Sequence, residues 1–161
     1  MKTKGSKIIS KEKALAKAAN SCARRELCRF DIRKKLSDWG VEQAVSEEII
    51  TILLSENYIN EERYTEYYIK DKFGINKWGK IKIKHMLRQK QISEQIIDKK
   101  LKKINDVEYK TVCSRLITKK LKVTQETNPY KLKQKIFRYM AGRGFEQRIV
   151  TQLYNNTTKN A

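Results

Sequence analysis

Met86-LRQKQISEQII-Asp98 sits near the middle of the chain, and the chain repeats its pattern twice more in other residues. Lys34-KLSDWGVEQA-Val45 precedes it and Arg138-YMAGRGFEQRI-Val150 follows it. Aligned on apolar residues, Ile32, Leu36 and Val41 stand at relative positions 0, 4 and 9, as do Ile83, Leu87 and Ile92, and Ile136, Met140 and Phe145. Val45 and Ile49, Ile96 and Leu101, and Ile149 and Leu153 continue the three sets. The central apolar residue recurs at 36, 87 and 140, a period of 51 and then 53 residues. A period of that size marks an array of small units, each too thin to bury its apolar face alone.

The chemistry of the phrase explains its form. An i, i+4 apolar pair lays a stripe on one helix, which ends near the glycine of Trp39-Gly40 or Arg143-Gly144. The apolar residue that follows (Val41, Ile92, Phe145) packs over the turn and fixes the start of the next helix. In the second copy Gln91 stands where glycine is expected, and it must take the left-handed turn at some cost. Ser46 and Ser93 are expected N-caps. A further amphipathic segment precedes each phrase, at about 11–24, 61–73 and 106–121. Asn128-Pro129 opens a helix from about Tyr130, with proline where its missing N–H costs nothing.

The expected fold is therefore all-α, with three tandem three-helix repeats in an elongated, curved array. The expected divisions are a flexible basic N-terminus at 1–10, repeats at 11–57, 58–104 and 105–155, and a disordered tail at 156–161. One proline and six glycines in 161 residues agree with a helical chain.

The net charge is +19, from 37 Lys and Arg against 18 Asp and Glu. Such a field draws polyanions, nucleic acid first, with anionic membrane and acidic protein behind it. The charge is uneven: net +8 over 1–41, −6 over 42–69, +9 over 70–103 and +8 over 104–161. Lys80, Lys84 and Arg88 fall at i, i+4 and i+8 and form one expected basic ridge, with Lys77 beside it. Lys131, Lys135 and Arg138 make a second, and Arg24, Arg25 and Arg143 add to the basic faces expected to meet a partner. Tyr58, Tyr64, Tyr67 and Tyr68 could stack on bases, but at helical spacing they read as packing residues. Trp39 and Trp78 read as packing anchors, and His85 as a surface residue.

Three cysteines without a CxxC pair, and a single histidine, give no disulfide set and no zinc site. No long apolar run or apolar leader segment is present, so the expected location is cytoplasmic, without a membrane partner. There is no phosphate-cradling glycine-rich loop or nucleophile elbow. Glu47-Glu48 and Glu61-Glu62 place neighbouring carboxylates on different sides of a helix. No enzyme, cofactor or metal is expected.

Read in order, the segments resemble the RecX family of bacterial recombination regulators. Glu56-NYINEERYTEYYI-Lys70 is similar to that family's Tyr-Leu-Asp-Asp-x-Arg-Phe-Ala segment, here Tyr58, Ile59, Asn60, Glu61, Glu62, Arg63, Tyr64 and Thr65. Trp78-GKIKIKHMLRQKQ-Ile92 matches its next pattern at Gly79, Ile83, Leu87, Lys90 and Ile92. Arg138-YMAGRG-Phe145 supplies the closing Arg143, Gly144 and Phe145, and Arg25, Glu26 and Leu27 loosely match the opening. Asn60-Glu61 departs from the acidic pair and Gln91 from the glycine. The resemblance spans about residues 11–155. It implies a non-enzymatic, monomeric modulator, active in DNA repair and the SOS response. Such a protein binds the RecA filament on single-stranded DNA and limits ATPase and strand exchange. Non-specific contact with single- and double-stranded DNA is implied too. Two other readings remain: a helix-turn-helix DNA reader with no recombinase partner, and a basic amphipathic protein on anionic lipid.

Overall fold

A computed structural model describes residues 8–160 of the chain; the expected basic N-terminus falls largely outside them. Among the described residues the elements are nine helices: α1 (Lys11–Arg24), α2 (Arg29–Asp38), α3 (Gln43–Ser55), α4 (Glu61–Gly74), α5 (Lys80–Gln89), α6 (Glu94–Leu101), α7 (Asp106–Val123), α8 (Pro129–Gly142) and α9 (Gln147–Lys159). They form three tandem three-helix repeats, and the described residues contain no strand.

Short polar side chains start most of these helices by accepting an otherwise orphaned backbone N–H. Ser10 accepts from Lys13 N, Asn60 from Arg63 N at 3.0 Å, and Ser93 from Ile96 N at 3.4 Å. Asn105 accepts from Glu108 N at 3.0 Å, and Asn128 accepts from Lys131 N at 3.1 Å with Pro129 in the first turn. The expected cap Ser46 is a correction: α3 starts at Gln43 after Glu42, and Ser46 lies buried inside the helix.

That misplacement has a wider meaning. Ser46, Ile97 and Val150 all stand 14 residues after the first apolar residue of their phrase, and all are buried. Ile50, Leu101 and Tyr154 stand 18 residues after it and are buried as well. Val45, Ile96, Ile149 and Leu153, expected in the core, are only half-buried. Ile49 and Leu101, also expected, are buried, so the expected stripe lies at the edge of the buried face, about one residue off its centre. A serine in a core position of the first copy hides the true alignment.

The turn inside each phrase is the same left-handed one. Gly40 has φ 77°, Gln91 58° and Gly144 90°. In the first and third copies the residue after the turn bonds back to the central apolar residue, Val41 N to Leu36 O at 2.9 Å and Phe145 N to Met140 O at 3.2 Å. Phe145 is 2% exposed, and its ring centroid lies 5.3 Å from that of Tyr109.

By compactness the chain forms two units, one up to Tyr67 with Lys90–Ile92, the other Tyr68–Gln89 with everything from Ser93 on. In the first, α1, α2 and α3 pack on one another around Ala14, Ala18, Ile32, Leu36, Ile49 and Leu53. In the second, α5 packs on α6, and α7 packs on both α8 and α9. Its core includes Phe73, Ile83, Leu87, Tyr109, Ile136 and Met140. The expected disordered tail from 156 is also corrected, because α9 continues to Lys159. There Tyr154 is buried, and the Thr157 and Thr158 hydroxyls bond back to Leu153 O and Tyr154 O at 2.8 and 3.0 Å.

The start of α5 meets the turn between α8 and α9 backbone to backbone. Gly79 N donates to Arg143 O at 2.7 Å and Ile81 N to Gly144 O at 3.0 Å. A Cβ on Gly79 would lie 2.2 Å from Gly144 O, and one on Gly144 would lie 2.3 Å from Lys82 Cβ. Tyr109 completes the junction: its hydroxyl accepts from Lys80 N at 3.0 Å and donates to Glu146 at 2.5 Å. Burial, then the bond to Glu146, pushes this phenol well above the ordinary tyrosine range.

Three stability measurements check these points by thermal or denaturant unfolding. Gly79→Ala should destabilise by at least the roughly 1–3 kcal/mol typical of overpacking, since the obstruction is backbone. Phe145→Ala should cost about 3–5 kcal/mol, the range for losing a core phenyl ring. Gln91→Gly should stabilise by roughly 0.5–1 kcal/mol, as relief of left-handed strain exceeds glycine's entropic cost.

Candidate functional site

The expected α5 ridge is in place but is not a face of one sign. Lys80 lies 3.8 Å from Asp106 and its ammonium sits 4.7 Å from the Tyr109 ring centroid. Lys84 pairs with Asp98 at 2.7 Å and Glu94 at 3.2 Å, and Arg88 grips Glu94 through both Nε and Nη2. Hydrogen bonds from Arg88 and then Lys84 pull the Glu94 carboxyl down to about 2, so it stays charged at any working pH. Three cations face three carboxylates, and the ridge is locally close to neutral. This corrects the sequence reading, which saw the lysines and not the acids opposite them.

Two further expected contact residues are held by backbone carbonyls. Arg143 donates to the carbonyl oxygens of Asn76 and Lys77, tying down the loop before α5. Lys77 itself has φ 56°, and its ammonium bonds Gly74 O at 2.6 Å, closing the end of α4. Lys135 pairs with Glu126 at 3.0 Å. Arg24, Arg25, Lys131 and Arg138 are exposed, and no carboxylate among the described residues pairs with them.

Three acids of the stretch at 42–69 pair within the first unit. Glu47 binds Arg33 at 2.6 Å, Glu48 binds Lys11 at 2.5 Å, and Glu61 binds Arg29 at 3.1 Å. Arg63 joins Glu26 and also bonds Asn57 O at 3.1 Å and Tyr58 O at 3.3 Å. The Arg25-Glu26-Leu27 opening and the Asn60–Arg63 segment therefore meet in space. Tyr58 is exposed beside this junction and Tyr64 is buried. Asp31 caps the start of α2 through Cys28 N at 3.3 Å and takes Lys90 Nζ at 2.5 Å. Burial raises its carboxyl, but Lys90 and Cys28 outweigh that and hold it below the usual carboxylate range.

Trp39 and Trp78 are half-buried under lysines, Lys17 at 4.1 Å from the first ring and Lys82 at 4.3 Å from the second. His85 is exposed. Cys28 and Cys113 are buried thiols, pushed by burial up to about 11 and about 12, so neither is a ready nucleophile. No group of His, Cys, Asp or Glu among the described residues could hold a metal ion, and no described helix is long and apolar enough to cross a membrane.

What sequence reasoning missed lies on α7. A groove of about 590 Å³ runs along this helix, and Lys110, Arg115, Lys119 and Lys122 line it. No acidic residue lines it. The available signal was the absence of Asp and Glu in α7 beyond its first turn and throughout α9.

Comparison with known proteins agrees with this architecture. Residues 60–101 match the RecX second three-helix domain, and 106–153 match the third. The regulatory protein RecX of Clostridium perfringens (strain 13 / Type A) is 33% identical over 93% of this chain and 74% of its own. That of Mannheimia succiniciproducens is 28% identical over 91% of this chain and 95% of its own. The crystal structure of RecX from Lactobacillus salivarius superposes with a TM-score of 0.80 at 21% identity, covering 91% of this chain and 95% of that one. Matched by two RecX domain models over 60–101 and 106–153, and 33% identical to a regulatory protein RecX over 93% of its length, the chain belongs to the RecX family of regulatory proteins.

Proposed function

We propose that this protein binds the RecA recombinase filament on single-stranded DNA and restrains its ATPase and strand exchange. It would act as a cytoplasmic monomer in DNA repair and the SOS response. The observation that carries the reading is the match to regulatory RecX proteins over 93% of the chain. The surplus of +19 supports it, because a partner that carries DNA presents a dense row of phosphates. Arg24, Arg25, Lys131, Arg138 and, on α7, Lys110, Arg115, Lys119 and Lys122 are among the exposed cations that no described carboxylate pairs with, and they can meet such a partner without first leaving a carboxylate.

The test adds the purified full chain to RecA on single-stranded DNA and follows ATP hydrolysis. Hydrolysis should fall as the protein is titrated in. An unchanged rate at excess protein, with DNA binding intact, would instead favour a DNA-binding protein without a recombinase partner. Binding to DNA alone should show little sequence preference. Its log affinity should fall with log salt by about 0.7 for each phosphate neutralised on single strands.

A further inference from the structure

We propose that the groove along α7 holds the phosphodiester backbone of single-stranded DNA, with cations on one bank and hydroxyls on the floor. The proposal rests on the nucleic-acid partner of the preceding reading and gives it a place.

Arg115, Lys119 and Lys122 follow at i, i+4 and i+7 and share one side of α7. Val107, Thr111, Ser114 and Thr118 follow at i, i+4, i+7 and i+11 and share the next side. Lys110 and Leu153 of α9 complete the lining. Small side chains on the floor allow a chain to lie close to the helix. The Thr111 hydroxyl is already donated to Val107 O at 2.8 Å, whereas those of Ser114 and Thr118 have no hydrogen-bond partner among the described residues and can donate to phosphate oxygens.

Charge separates this face from the others. Each α5 ridge cation has a carboxylate within 4 Å, and a phosphate there would have to displace it. Lys110, Arg115, Lys119 and Lys122 are exposed, and no carboxylate among the described residues pairs with them. The acids of α7, Asp106 and Glu108, both lie in its first turn, before Lys110. From Lys110 to Lys122 the helix advances about 18 Å, room for roughly five phosphates at the spacing of a single strand in a duplex. One row of cations on one helix suits one strand. An acidic protein surface fits less well, since the groove has no tryptophan or tyrosine to anchor a protein partner.

The experiment measures binding of fluorescein-labelled oligothymidylate by anisotropy over a range of KCl, using the full chain. One variant combines Lys110→Gln, Arg115→Gln, Lys119→Gln and Lys122→Gln, and another combines Lys80→Gln, Lys84→Gln and Arg88→Gln. The α7 variant should flatten the log–log salt slope by roughly 3 if all four cations meet phosphates, and the α5 variant should leave it nearly unchanged. A third variant, Ser114→Ala with Thr118→Ala, changes no charge; it should weaken binding several-fold at an unchanged slope. This keeps the test valid if the quadruple variant fails to fold. A wild-type slope in the α7 variant, or a larger loss in the α5 variant, would overturn the proposal. So would an α7 variant with intact DNA binding that no longer restrains the recombinase, because the groove would then serve an acidic protein face. If the wild type does not restrain the recombinase but the α7 variant still flattens the slope, the groove stands and only the recombinase reading falls.

Discussion

The closest constraint in the second unit is the contact between α5 and the turn joining α8 to α9. Two backbones meet there with no side chain between them, through Gly79 N on Arg143 O and Ile81 N on Gly144 O. A three-helix unit of this size has too little apolar surface to stabilise itself, so neighbouring repeats must share a core. The junction sets how the second and third repeats share theirs. It fixes where α5 begins, and hence which of its residues face inward. It places Tyr109 so that one hydroxyl serves both α5 and Glu146. It also ties Arg143 to the loop before α5.

Local rules made much of the fold legible. Capping by Asn60, Ser93 and Asn128, proline in the first turn of α8, and the left-handed turns at Gly40, Gln91 and Gly144 are decided within a few residues of chain. The 0, 4, 9 spacing is decided on one helix and one turn, and its residues are buried except for half-buried Val41. The register of the following helix was read one residue early. Ser46 occupies a core position that Ile97 and Val150 fill with apolar groups, and the neighbouring valine made a better-looking match. Periodicity sees hydrophobicity, while a helix buries whatever its rotation brings inward.

The candidate site was much less legible, because pairing between charges is settled by the fold and not by spacing. Lys80, Lys84 and Arg88 make a clean pattern within one helix, and their acids come from α6 and α7. Arg143 and Lys77 looked like surface cations, but the carbonyls they satisfy lie at helix ends and in a loop. Only Arg24, Arg25, Lys131 and Arg138 remain from the expected basic faces as exposed, unpaired charges.

The same pairing explains how a chain of +19 can fold. Much of the first unit's charge is cancelled across helices, by Glu47, Glu48, Glu61 and Glu26 against Arg33, Lys11, Arg29 and Arg63. Exposed pairs of this kind contribute little stability one by one, yet each removes a repulsion that would oppose packing. Part of the surplus lies where no acid is available: α7 after its first turn, α8 and α9 carry none. A helix whose cations are left without counter-charge is under electrostatic strain that a polyanion relieves on binding. The residues that burden folding are therefore the ones best placed to bind.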